Sequence, residues 1–260
     1  MDLGLKGKSV LITGASQGIG EGLAKGFAEE GATLHLTARN ADRLARLKSE
    51  IEAGFGVGVQ LHPLDLTAAG ASEELAQRCG DVDILINNAG AIPGGSLFDV
   101  DAEAWRSGWQ LKVLGYIDLT RLFYRKMKSR GGGVIINNIG NAGESYDVDY
   151  IAGSSGNAGL MAFTRTLGAR SLDDGIRVLG VNPGPVDTER IYKLLKRRAK
   201  NQLGNEARYG ELLERFPLKR PAHVREVVDL ILFLASERSS YTSGAIFTLD
   251  GGIAARGSIV

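Results

Sequence analysis

The first residues with the types and spacing to do chemistry are Thr13-Gly14-Ala15-Ser16-Gln17-Gly18-Ile19-Gly20. The apolar run Ser9-Val10-Leu11-Ile12 before them reads as a buried strand. Leu23, Ala24, Phe27 and Ala28 follow at helical spacing and are closed by Gly31, a helix stop signal. On such a strand-to-helix turn, unpaired backbone N–H groups face an anion. Gly14 permits the tight turn, Gly18 lets a pyrophosphate approach those groups, and Gly20 lets helix and strand pack closely. The expected ligand is a nucleotide.

Holding such a loop takes a sheet, and the rest of the chain supplies one. Residues 33–38, 57–61, 82–86, 133–138, 178–181 and 245–249 read as further strands. Helices are expected over 41–53, 68–78, 102–129, 154–172 and 224–235, with 188–221 irregular or short-helical. Continuous apolar strands alternating with helices mean an α/β fold with a parallel sheet covered on both faces. Right-handed crossovers bring all strand C-termini to one edge, where ligands bind. The glycine-rich turn, Arg39, Asp65, Asn87-Asn88-Ala89-Gly90, Ile139-Gly140 and residues 183–188 all fall at that edge. No linker, repeat or low-complexity segment divides residues 1–260, so a single domain is expected.

Composition narrows the classes of function. With a net charge of +1, no global field favours nucleic acid or an anionic membrane. Cys79 is the only cysteine, which rules out an internal disulfide and a Cys-rich metal site; it reads as a small buried residue near a helix end. His35, His62 and His223 show no metal-ligand spacing, so no metal is expected. No signal segment and no bilayer-spanning apolar run is present in the sequence, and the expected location is cytoplasmic.

Taken in order, Thr13-Gly14-x-x-x-Gly18-x-Gly20, Asp65, Asn87-Asn88-Ala89-Gly90, Pro183-Gly184 and Asp250-Gly251-Gly252 resemble the classical short-chain dehydrogenase/reductase family. The resemblance implies a single-domain Rossmann fold with a seven-stranded parallel sheet and helices on both faces. It also implies bound NAD(P), a small-molecule substrate, and assembly as a homotetramer or homodimer. It assigns cofactor binding to Gly14, Ser16, Gln17, Gly18, Ile19 and Gly20, and the adenine to Asp65 and Leu66. Asn87, Asn88, Ala89 and Gly90 go to the ribose and helix support, and Pro183, Gly184, Val186 and Thr188 to the nicotinamide carboxamide. An acid at the end of the second strand would select a free ribose 2′-OH. Ala38-Arg39 stands there instead, and Arg39 suits a 2′-phosphate, so NADP(H) is expected over NAD(H).

The chain departs from this family where the chemistry is done. The family uses a Ser, a Tyr, a Lys four residues after the Tyr, and an Asn on the preceding long helix. An ungapped match of the flanking strand and helix puts Gly140, Gly153, Asn157 and Lys112 at those four positions. Glycine has no proton to give, and Asn157 carries no charge. Three replacements are open. Lys112 and Asn157 look like an exchange of the family's Asn and Lys, so Lys112 either acts as a desolvated acid or snorkels to the surface. Tyr150, one helical turn before Gly153, or Tyr146 either supplies a hydroxyl or packs the loop. Ser154 and Ser155 offer hydroxyls, but Ser154 reads as the helix N-cap.

Several features are left undecided. Glycines at 153, 156, 159 and 168 imply either close packing or a widened site. Residues 188–221 form the expected substrate lid, and Lys193, Lys196, Arg197, Arg198 and Lys200 make it either a solvated face or an anion trap. Trp105 and Trp109 read as packing residues. The expected function is an NADP(H)-dependent oxidoreductase acting on a carbonyl or alcohol with non-standard proton-transfer residues. The alternative is an inactive dinucleotide-binding sensor or scaffold.

Overall fold

Seven parallel strands run in the order β3-β2-β1-β4-β5-β6-β7 in the computed structural model, which describes residues 1–256. They are β1 (Ser9–Thr13), β2 (Thr33–Ala38), β3 (Val59–Pro63), β4 (Ile84–Asn87), β5 (Gly133–Asn138), β6 (Ile176–Pro183) and β7 (Ile246–Leu249). The helices are α1 (Gly18–Glu29), α2 (Ala41–Phe55), α3 (Ala71–Cys79), α4 (Ala102–Trp109), α5 (Gly115–Arg130), α6 (Ile151–Ser171), α7 (Glu189–Leu203), α8 (Tyr209–Leu213) and α9 (Val224–Ala235).

Alternation along β1 shows how both sheet faces are covered. Val10 and Ile12 pack with residues of α1, α2 and α9. Leu11 points to the other face, where Leu75 of α3 and Leu119, Phe123 and Met127 of α5 cover it. In register, Ile12 pairs with Leu36 on β2 and Ile86 on β4, so β1 is an interior strand. Strand order reverses between β1 and β4, which opens a crevice at their carboxyl ends. No helix among the described residues is long and apolar enough to cross a membrane.

Four local differences from the sequence reading bear on the site. β3 starts two residues later than expected, because Gly56, in the left-handed conformation at φ 68°, ends α2 and pairing begins at Leu34–Val59. The expected long helix 102–129 is broken by a π turn, Gln110–Leu114, which carries Lys112. Such a turn re-aims the side chains it carries. α6 begins at Ile151, with Tyr150 as its N-cap residue. Ser154 is therefore not the cap: it lies buried inside the helix, and its Oγ accepts the Asp147 N–H at 3.4 Å. Finally, 188–221, expected to be irregular or short-helical, contains one long helix. This is the 15-residue α7, whose Ile191, Leu195 and Ala199 bury one stripe against Leu212. The i, i+4 spacing of those three residues was visible, but the charges between them masked it.

Candidate active site

The turn after β1 takes the shape its glycines dictate. Gly14 and Gly18 adopt φ of 66° and 58°, left-handed conformations that side chains resist. A Cβ on Gly20 would lie 2.2 Å from the Gly14 carbonyl oxygen, so the helix can start against the strand only with glycine there. The Asn88 amide nitrogen donates to the Thr13 carbonyl at 2.9 Å, and its oxygen accepts from Asn138 at 2.8 Å. The Thr13 hydroxyl accepts the N–H groups of Asn88 and Ala89. These bonds lock the β4 end onto the turn. Asn87 is fully buried and bonds to Thr120 and Asn137, so it braces the sheet against α5 rather than facing a ligand.

The turn opens into a cleft of about 1530 Å³ along the carboxyl edge. Apart from Asn87, the residues assigned to the cofactor line it: Gly14, Ser16, Gln17, Gly18, Ile19, Gly20, Arg39, Asp65, Leu66, Asn88, Ala89, Gly90, Pro183, Gly184, Val186 and Thr188. Arg39 directly follows β2, and Arg43, one turn into α2, donates to the Gln17 side chain of the glycine-rich turn. Arg43 and Arg46 also line the cleft, and sequence reading missed both. The Asp65 carboxyl is held low by the backbone and side chain of Thr67, then by Arg39. A dinucleotide fits this edge: the N-terminus of α1, free of a side-chain cap, faces it and the glycines keep its floor open.

The three candidate proton-transfer residues also meet in the cleft. Lys112 is 8% exposed, with its stem packed against Gly90 and its Nζ donating to the Ile139 carbonyl. Burial, then the nearby Arg190 cation, bring its pKa down to about 7. It is buried, not snorkelling. The Tyr150 ring lies over Gly153, and its hydroxyl accepts an N–H of Arg190 at 3.0 Å. Asn157 donates to the Gly140 carbonyl at 3.2 Å, while its own carbonyl oxygen is buried without a partner. Tyr116, beneath them, donates to the Asn138 carbonyl at 3.0 Å, and burial raises its pKa.

The other rescues fall away. Tyr146 is 80% exposed, and the Ser155 hydroxyl donates to the Ile151 carbonyl within α6. Trp109 donates its ring N–H to the Ala152 carbonyl and packs, as expected. The glycines of α6 split in role: Gly156 and Gly168 are close contacts, Gly153 makes room for Tyr150, and Gly159 faces open space. Arg190 was missed because its helix was missed; its place two residues after Thr188 was the available signal.

On the α3 face of the sheet, His35, His62 and Cys79 come together although their spacing gave no hint of it. His35 Nδ1 lies 3.1 Å from His62 Nε2, and Cys79 Sγ lies 3.5 Å from the same nitrogen. The two rings are within 8° of parallel with centroids 5.3 Å apart. With that short N···N distance, they meet edge to edge in one plane, the geometry of an N–H···N hydrogen bond. Burial lowers both histidine pKa values, His62 to about 4, and raises Cys79 to about 12. The cluster reads as a buried hydrogen-bonded chain.

Comparison with known proteins fits this geometry. The family model for short chain dehydrogenase matches residues 8–199. NADPH-dependent reductase BacG of Bacillus subtilis is 30% identical over 254 residues, covering 94% of this chain and 97% of that protein. The 7alpha-hydroxysteroid dehydrogenase of Escherichia coli is 29% identical over 255 residues, covering 96% of each. The solved structure of L-sorbose reductase from Gluconobacter frateurii, complexed with NADPH and L-sorbose, superposes with a TM-score of 0.90 at 34% identity. That match covers 98% of this chain and 99% of the other.

Proposed function

Since the chain belongs to the short chain dehydrogenase family, we propose that it is an NADP(H)-dependent oxidoreductase for a carbonyl or alcohol substrate, with Tyr150 as its proton donor. One observation carries this reading: the Tyr150 ring fills the place of a side chain at position 153 and presents its hydroxyl to the cleft beside Arg190.

Each residue's task follows from its surroundings. The turn from Gly14 to Gly20 and the N-terminus of α1 hold the pyrophosphate. Arg39 and Arg43 meet the 2′-phosphate, and no acid at the end of β2 repels it. When bound, NADPH supplies hydride from its nicotinamide ring. Tyr150 places its O–H at the substrate oxygen and gives up its proton as that oxygen becomes an alcohol. Arg190 donates to the Tyr150 oxygen and so steadies the charge left there. Lys112, whose pKa burial and the Arg190 cation bring down to about 7, is a buried amine able to exchange a proton near neutral pH. Asn157 and Gly140 close the wall through their mutual bond.

The test is NADPH oxidation across a panel of ketones and quinones, with NADPH affinity followed by fluorescence. Turnover with at least one acceptor is expected. Tight NADPH binding with no turnover anywhere would favour the sensor reading, and failure to bind would favour a scaffold.

A further inference from the structure

One face of α7 buries Ile191, Leu195 and Ala199, the first two at the cleft wall, and Arg190, Lys193 and Arg197 also line the cleft. Residues three and seven apart lie on one side of a helix, so these three cations form a ridge about 10 Å long over the substrate side. Lys196 and Lys200, on the same helix, do not line the cleft; Lys196 sits over the Tyr209 ring.

The ridge is under-neutralised. Arg198 pairs with Asp147, and Lys193 has only Glu189, at 3.8 Å on an exposed surface. Arg190 bonds to the uncharged Tyr150 hydroxyl. Among the described residues Arg197 has no carboxylate within ion-pair distance, Asp99 feeling its charge only at longer range, and its guanidinium lies against Gly94, in the loop after β4. Arg215 and Arg256 add two more cations to the lining, and Arg256 donates to the Arg215 backbone carbonyl. Cations from the lid and the C-terminal turn thus line the same cleft as Tyr150, where they outnumber the carboxylates of Asp149, Asp187 and Glu189.

We propose that the substrate carries an anionic group, a carboxylate or phosphate, which Arg197 and its neighbours on α7 hold while the carbonyl lies at Tyr150. This rests on the oxidoreductase reading for the carbonyl end only; capture of the anion stands on α7 alone. Guanidinium groups bind planar oxyanions through paired N–H donors, so Arg197 sets specificity more than a point charge would.

The test uses matched pairs: a neutral ketone, the same skeleton with a terminal carboxylate, and the same skeleton as a phosphate ester. For the full chain with saturating NADPH, kcat/KM for one anionic partner should exceed the neutral one at least ~10-fold, and the ratio should fall as salt rises. The better of the two anions identifies the group. Arg197→Gln should collapse that ratio, mainly through KM, without changing NADPH affinity. Lys196→Gln, the same charge change on the outward face, should leave the ratio alone. Equal use of neutral and anionic partners overturns the proposal, as does an Arg197→Gln effect on NADPH affinity in place of the substrate ratio. If no ketone turns over, titrating the NADPH-loaded chain with succinate and inorganic phosphate decides separately. Binding that Arg197→Gln abolishes supports anion capture while the hydride-transfer reading fails; no binding overturns both.

Discussion

The Tyr150 ring stands where a side chain at position 153 would begin: Cε1 and Cζ lie 2.0 and 2.1 Å from an ideal Cβ on Gly153. No side chain can share that space, so the glycine at 153 and the tyrosine at 150 are one arrangement. Gly153→Ala therefore forces the ring out and breaks its contact with Arg190. Turnover should fall by ~10²–10⁴, the usual loss for a positioned acid, while NADPH affinity by fluorescence titration stays within about twofold.

Lys112 makes stability depend on pH. Its ordinary pKa of 10.5 applies in the unfolded chain, whereas burial lowers the folded value to about 7. Between those values the unfolded chain binds more protons, so stability rises with pH across pH 7 to 10.5. Below pH 7 the cost of burying the cation is fully present. Lys112→Met should thus stabilise the fold relative to wild type more at pH 6 than at pH 10. The difference between those two effects should be of order 3–5 kcal/mol. Urea unfolding of both proteins at the two pH values measures it; a pH-independent difference would contradict a neutral-leaning buried amine.

Arg39 lines the cleft directly after β2, where an acid would select NAD(H). Arg39→Asp should weaken NADPH relative to NADH by roughly 10–100-fold, the range expected for losing a charge-assisted pair and adding a repulsion. The ratio of the two dissociation constants is the measurement. An unchanged ratio would move the 2′-phosphate contact to Arg43 or Arg46.

His35 and His62 act at the acid end. Both are buried and neutral, with His62 lowered from 6.5 to about 4. The unfolded chain takes up protons first as pH falls, so the stability contributed by the neutral pair is present above pH 6.5 and is lost between 6.5 and 4. His62→Gln should flatten that part of a thermal-unfolding profile against pH. An unaltered acid limb would show that other groups set it.

The fold was legible because its signals are local: Gly14, Gly18 and Gly20 sit on a strand-to-helix turn, and the strands are apolar runs. The cofactor edge followed from topology, which brings the ends of β1, β2, β4 and β6 together. What stayed hidden depends on contacts across the chain. The π turn that carries Lys112 inward leaves no mark in composition. Tyr150 could be placed near Gly153 by counting, but only the three-residue earlier start of α6 lays its ring over that position. Arg190 was hidden with α7, and Arg197, visible as one of the lid's cations, could be turned toward the cleft only once that segment, read as irregular or short-helical, was seen to be one helix of 15 residues. The meeting of His35, His62 and Cys79 needs two strands in register and the end of a helix, and no spacing along the chain encodes it.

The most direct measurement is the single-turnover rate of hydride transfer from NADPH in wild type and Tyr150→Phe, with the best acceptor found and saturating cofactor. Phenylalanine keeps the ring over Gly153 and removes only the hydroxyl that faces Arg190. If Tyr150 gives the proton, the rate falls by ~10²–10⁴ with NADPH affinity unchanged. A rate within about threefold of wild type would show that the proton comes from elsewhere.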